Sequence, residues 1–293
     1  MRAKRAAQWF SPFDPSEVNF NYTEANAFQY SMAAPQAIKT LAEIQGGADS
    51  LESWLDRLFT SQSKLSGREQ SDITGLIGQY AHGNEPSHHM AYLYNYTNSP
   101  HKTQFYVDKI TKELYSNSPD GLSGNEDCGQ MSAWYVFSSL GFYPVTPGSN
   151  QYIIGTPLFP KATINLENGN HFTIVAHDIS SNNKYIESAT LNGKSLDRTF
   201  IYHNEIVEGG TLEFQMTDNP AFWGSLEGQE PKTEITEHLI TPPPFIAKGN
   251  VPNPEVGSIQ TPNKQSCKPL EKSSWDKPLK SLKVKNLFCV YFK

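Results

Sequence analysis

After Tyr143 the apolar periodicity of this 293-residue chain switches from 3.6 to 2. A chain that does this must build a helical part first and a sheet part second. Upstream, Ile38, Leu41, Ala42 and Ile44 are read as one helix face, led in by Pro35 and closed by Gly46-Gly47. Leu51, Trp54, Leu55, Leu58 and Phe59 mark a second helix, with Asp49 or Ser50 as its cap. Ser87 to Tyr96 is a third, begun by Asn84-Glu85-Pro86. Pro100 to Tyr115 is a fourth, with Phe105, Val107, Ile110, Thr111 and Leu114 inward. Met131, Trp134, Tyr135, Phe137, Ser138 and Leu140 make a fifth, stopped by Gly141. The segment Asn21 to Tyr30 reads as a further helix ended by Pro35. Helices in series with polar residues in their loops read as a toroid or solenoid.

Downstream lie short alternating runs such as Phe172-Thr173-Ile174-Val175-Ala176 and Thr211-Leu212-Glu213-Phe214-Gln215-Met216. Asn168-Gly169, Asn192-Gly193 and Gly209-Gly210 punctuate them, which predicts an antiparallel β region of roughly six strands. Beyond Trp223 neither period survives, and Pro242-Pro243-Pro244 with later prolines, lysines and serines predicts a poorly ordered tail. The expected divisions are 1–145, 146–226 and 227–293. L-F-C-V-Y-F near the end is a stray strand with no obvious partner.

A net charge of -6 argues against nucleic acid or an anionic membrane as the main partner. No apolar run reaches the length of a membrane span, and the N-terminus has a basic start without the apolar core of a secretory signal. Cys128, Cys267 and Cys289 form neither a disulfide framework nor a zinc pattern. The 14 Tyr and 16 Phe suit a protein that handles flat, polar ligands such as sugars, though many β-rich folds are as aromatic.

Three polar clusters fall between helices: Tyr22-Thr23-Glu24-Ala25-Asn26, His82 to His89, and Asn125-Glu126-Asp127. The last sits in a loop spaced by Gly121, Gly124 and Gly129, poured onto the start of an apolar helix. Two carboxylates distant in sequence on one rim are what glycoside hydrolysis requires, one protonated to donate and one ionised to attack or activate water. Bland readings compete. Asp127 caps its helix, Glu24 closes a cap or sits in solvent, and His88 and His89 bond helix carbonyls or pack beside Tyr92. Asn84, Glu85, Asn125 and Asp127 are hard oxygen donors of the kind calcium takes.

Four stretches in order, Y-T-E-A-N-A-F-Q-Y, G-Q-Y-A-H-G-N-E-P-S-H-H-M-A-Y-L-Y-N-Y, G-N-E-D-C-G-Q-M-S-A-W-Y-V-F-S-S-L-G-F-Y-P-V and Y-I-I-G-T-P-L-F-P-K-A-T-I, carry a resemblance. The chain resembles glycoside hydrolase family 92, the calcium-dependent exo-acting α-mannosidases, over roughly residues 12 to 225. The resemblance implies the C-terminal part of an (α/α)6 barrel followed by an antiparallel β region. The family's N-terminal β-sandwich and the first half of its barrel are then expected to lie outside this chain. It implies an inverting mechanism on terminal mannose of glycans, α-1,2-linked in the first instance. Glu24 is then the general acid and Asp127 the general base. Asn125 stands where some members carry a second aspartate, and A-A-P-Q-A around Pro35 lacks an expected acidic residue. Asn84 and Glu85 fall nearest the calcium, with His88, His89 and Asn125 beside the sugar. The implied partners are a mannose-containing glycan and the family's N-terminal half, in a periplasmic or extracellular setting, and without that half the chain is expected to be weak or inactive. The competing expectation is a carbohydrate-binding or assembly module that keeps the fold without the reaction.

Overall fold

A computed structural model describes residues 1–232 and the backbone of Leu282–Lys285. The Pro-rich stretch, Cys267, Cys289 and L-F-C-V-Y-F lie outside the described residues. The helical part comes first. Its main helices are α1 (Ala27–Tyr30), α2 (Ile38–Gln45), α3 (Ala48–Thr60), α4 (Pro100–Glu113) and α5 (Gln130–Leu140). Leu51, Leu55, Leu58 and Phe59 of α3, Val107 and Ile110 of α4, and Trp134, Phe137 and Leu140 of α5 enter one apolar core.

Local chemistry redrew several expected elements. Only Ala27–Tyr30 of the Asn21–Tyr30 stretch is helical, because Asn26 and Gln29 form a reciprocal capping box there. The expected helix over Ser87–Tyr96 is instead two 3-10 segments, Glu85–Ser87 and Met90–Tyr96. Met90 through Asn95 are all buried, so no polar stripe exists for a 3.6-residue period to present, and the tighter winding prevails. α3 starts at Gly47 without a side-chain cap, and Asp49 sits in its first turn, where the helix dipole favours a carboxylate. Ile44 is 78% exposed, since at about 100° per residue it falls well off the Ile38–Ala42 stripe. Phe105, expected inward, is partly exposed beneath the Lys184 ammonium, 5.6 Å from its ring.

The sheet part follows the period change. β1 (Phe142–Tyr143), β2 (Gln151–Ile154), β3 (Lys161–Asn165), β4 (His171–His177), β5 (Tyr185–Leu191), β6 (Lys194–Ser195), β7 (Phe200–Tyr202), β8 (Gly210–Thr217) and β9 (Leu282–Lys285) form two sheets. Their orders are β7-β2-β1 and β6-β5-β8-β4-β3-β9. Phe172, Ile174 and Ala176 of β4 and Leu212, Phe214 and Met216 of β8 alternate inward, as their sequence pattern requires. Pairing is mainly antiparallel, but β4 runs parallel to β8, and β9 parallel to β3. The chain leaves β4, runs β5 one place away, passes through β7 and the short helix α6 (His203–Val207), and returns as β8 between them. The two parts are joined at α4, where the Gln104 side-chain oxygen accepts from the Ile186 N–H of β5 at 3.0 Å.

Candidate active site

Three glycines decide how the polar loops meet. Gly75, Gly83 and Gly124 lie where the segments around Thr74, His82 and Ser123 touch backbone to backbone. A Cβ on Gly83 would run into the Thr74 hydroxyl and come within 2.7 Å of the Ser123 carbonyl, while one on Gly124 would lie 3.0 Å from the Gly83 carbonyl. The Gly83 N–H donates to the Thr74 carbonyl at 3.0 Å and His82 N–H to Gly75 at 3.1 Å. Gly83→Ala is therefore expected to cost about 1–3 kcal/mol and to part the loops. A thermal melt checks this, with Thr74→Gly in the same chain returning part of the loss, since the Thr74 hydroxyl has no hydrogen-bond partner to forfeit.

The Glu24 loop is fastened to the same place. Asn84, buried, donates from Nδ2 to the Glu24 carbonyl at 2.9 Å. Asn26 Nδ2 donates to Gln79 Oε1 at 2.8 Å, and Gln29 Nε2 to the Gln79 carbonyl at 2.9 Å. Glu24 itself is exposed, with a left-handed backbone, φ 52°. Asp127 and Cys128 share that conformation, φ 50° and 57°, and both are exposed, as is Asn125. Non-glycine residues adopt it rarely, and such departures gather at working sites.

The cap of α5 is not Asp127. The neighbouring Glu126 accepts from the Ser132 N–H at 2.9 Å and the Ser132 hydroxyl at 2.8 Å, and Gly129 at the N-cap position makes no side-chain cap. Asp127 contributes its backbone carbonyl to the Gln130 N–H, at 3.1 Å.

Glu85 reports how near the carboxylates are. Burial pushes its carboxyl above its ordinary pKa, a bond from its own backbone N–H pulls the other way, and the charges of Asp127, Glu24 and Asp72 push it further up. Glu24 and Asp127, 103 residues apart in sequence (127 − 24), thus act on one half-buried carboxylate. Asp72 joins them unforeseen, because a lone Asp in S-D-I-T-G carries no local signal. Hollows of about 330 Å³ beside Gln79 and about 240 Å³ beside Asp108 contain none of these carboxylates, and both Glu24 and Asp127 stand exposed at the surface.

The histidines of the same segment are buried. His88 is 2% exposed, and its Nδ1 accepts from Gln130 Nε2 at 3.0 Å, so Nε2–H donates to the His82 carbonyl at 2.9 Å. His89, 7% exposed, bonds through Nε2 to the Met32 carbonyl at 2.7 Å. Burial pushes both pKa values down to about 4, so both are neutral at pH 7. The Tyr115 hydroxyl donates to the Met131 carbonyl at 3.1 Å and so accepts from His82 Nε2–H at 2.6 Å, leaving Nδ1 for the Tyr80 hydroxyl at 2.7 Å. Trp134 Nε1 donates to the His88 carbonyl at 2.9 Å. These bonds tie the start of α5, and with it the Asp127 loop, to the Glu85 segment. Sequence reading missed Gln130, the middle of the tie, because a glutamine at a helix start is unremarkable.

The chemistry of the oxygen donors fits calcium in kind, since Asn84, Glu85 and their neighbours are hard ligands in a crowded negative field. Among the described residues no group of three or more His, Cys, Asp or Glu side chains is already drawn together around an ion position.

The glycosyl hydrolase family 92 catalytic domain matches residues 1–218. The chain belongs to glycosyl hydrolase family 92. A family 92 α-mannosidase of Bacteroides thetaiotaomicron, solved with mannoimidazole, is 37% identical with a TM-score of 0.73, covering 79% of this chain and 32% of its own. The family 92 inverting mannosidase of Bacteroides thetaiotaomicron VPI-5482 is 34% identical with a TM-score of 0.67, covering 76% and 32%. An uncharacterized secreted glycosidase of Arthroderma benhamiae is 29% identical over 211 residues, 71% of this chain and 25% of the relative. This family 92 chain therefore spans about a third or less of the length of these relatives. Among its described residues no helix is long and apolar enough to cross a membrane.

Proposed function

We propose that this chain carries the catalytic rim of an inverting exo-α-mannosidase that removes terminal mannose from glycans, α-1,2-linked mannose first. What supports the reading is that two remote loops meet the Asn84–Glu85 segment: the Glu24 carbonyl accepts from Asn84 Nδ2 at 2.9 Å, and the loop leading to Asp127 packs through Gly124 against Gly83. In this reading residues 1–145 contribute part of an (α/α)6 barrel, 146–226 the adjoining β region, and 227–293 an irregular tail. Glu24 enters protonated and donates to the departing glycosidic oxygen. Asp127 accepts the proton of a water that attacks the anomeric carbon from the opposite face, so α-linked substrate yields β-mannose. Inversion calls for a gap of about 6.5–9.5 Å between the two carboxyl groups, enough for that water. Asn125 faces the sugar, and His88 and His89 hold the sugar-binding wall from behind. Asn84 and Glu85 would hold calcium, which when bound offsets the clustered negative charge and fastens sugar hydroxyls. The glycan substrate fits a periplasmic or extracellular setting, in keeping with the secreted relative.

The test is α-1,2-linked mannobiose incubated with the chain in calcium and then in chelator, followed by NMR. Weak release of mannose in calcium, lost in chelator, with the β-anomer appearing first, is the expected result, since the chain spans about a third of the length of its solved relatives. First appearance of the α-anomer would overturn inversion. Saturable sugar binding without release favours the non-catalytic binding module, a reading that the chain's share of its relatives' length keeps in play. Neither binding nor release removes the reading of this chain as a rim that works on its own.

A further inference from the structure

From Phe20 and Arg68 we infer a contact for the leaving-group sugar, on the Glu24 side of the rim. The inference rests on the reading of Glu24 as the acid. Phe20 is 91% exposed, an apolar ring held out in water at a cost of about 1.5–3 kcal/mol relative to burial. Its position is built. The Asn21 N–H donates to Asn19 Oδ1 at 2.9 Å, forming a tight side-chain turn around Phe20. Glu17–Val18 pairs in parallel with Ser66–Gly67, and Arg68 N–H donates to the Val18 carbonyl at 2.9 Å. Gly67, φ 83°, permits this approach, since a Cβ there would strike Val18 and lie 2.9 Å from Glu17 Cγ.

The result sets the Arg68 guanidinium 4.6 Å from the Phe20 ring centroid. Arg68 takes part in none of the ion pairs among the described residues, and its Nε is buried without a hydrogen-bond partner. A guanidinium stacked on a ring presents two kinds of contact at once. The ring packs against the C–H face of a pyranose, and the planar fork matches a pair of neighbouring hydroxyls. Phe20 precedes Glu24 by four residues, a chain reach of at most about 14 Å. An acid must touch the oxygen between the cleaved sugar and the leaving sugar, so the leaving sugar lies toward Glu24 and within range of Phe20.

Calorimetric titration with mannose and with sulfur-linked α-1,2-mannobiose, which resists hydrolysis, tests the contact. The chain is expected to hold the disaccharide about ten-fold more tightly than mannose, an ordinary return for one stacked ring. Phe20→Ala should erase that preference while leaving mannose affinity and melting temperature unchanged, and Phe20→Trp should keep it. Equal affinity for the two sugars in the unsubstituted chain, or an unchanged preference in Phe20→Ala, overturns the contact and leaves the Glu24 and Asp127 reading standing. Binding of neither sugar removes both.

Discussion

Glu24→Gln is expected to lower cleavage of α-1,2-mannobiose by about a thousand-fold, within the usual range for losing a general acid, while an aryl mannoside with an activated leaving group keeps far more of its rate. The asymmetry follows from the work assigned to the carboxyl group. A sugar alkoxide leaves poorly without a proton, whereas an activated phenolate departs without one. Glutamine keeps the size and polarity of the side chain but has no acidic proton to give. Asp127→Asn is expected to damage both substrates alike, because water must be activated whatever the leaving group. The left-handed backbone at both positions, φ 52° and 50°, is compatible with either substitution, since each changes a single side-chain atom. Steady-state rates on the two substrates decide the matter. If both variants lose the disaccharide and the aryl mannoside in the same proportion, the acid and base roles are wrongly assigned.

The two halves of the fold were legible where burial imposes a period. Phe172, Ile174 and Ala176 alternate because one face of their strand is in the core, and Leu51, Leu55, Leu58 and Phe59 recur because one face of α3 is. Where residues are buried on every side, as from Met90 to Asn95, periodicity carries nothing, and a 3-10 winding was not foreseeable. The parallel pairing of β4 with β8 is a matter of chain path and leaves no local trace. At the site, the polar clusters that hold Glu24, Asn84, Glu85, Asn125 and Asp127 were visible between the helices, while the role of each came from the family resemblance. What stayed hidden was the division of labour between neighbours. Asp127 is the expected cap on paper, and only the path of the loop gives the helix to Glu126. Nor does any spacing rule announce a left-handed glutamate, since nothing in the residue type favours that conformation.

Acidification is expected to unfold the chain through its buried histidines before the carboxylates are titrated away. His88 and His89 have folded pKa values pushed down to about 4 by burial, from an ordinary 6.5. Between those values the unfolded chain binds protons that the folded chain refuses. Their contribution to stability is therefore fully present above pH 6.5 and is lost as the pH falls toward 4. At about 1.4 kcal/mol per pKa unit, each site forfeits roughly 2.5 kcal/mol between pH 7 and pH 4.5, and the pair about 5 kcal/mol. That is comparable with the whole stability of an ordinary domain. His82, with both nitrogens bonded between Tyr80 and Tyr115 and its pKa pushed well down, acts in the same direction. A circular-dichroism titration should show cooperative loss of structure between pH 6 and 4 (roughly the window that the two shifts span). His89→Gln, which keeps a donor for the Met32 carbonyl but cannot take a proton, should move the midpoint to lower pH. A midpoint unmoved by that substitution and by His88→Gln would place the acid sensitivity in the carboxylates instead.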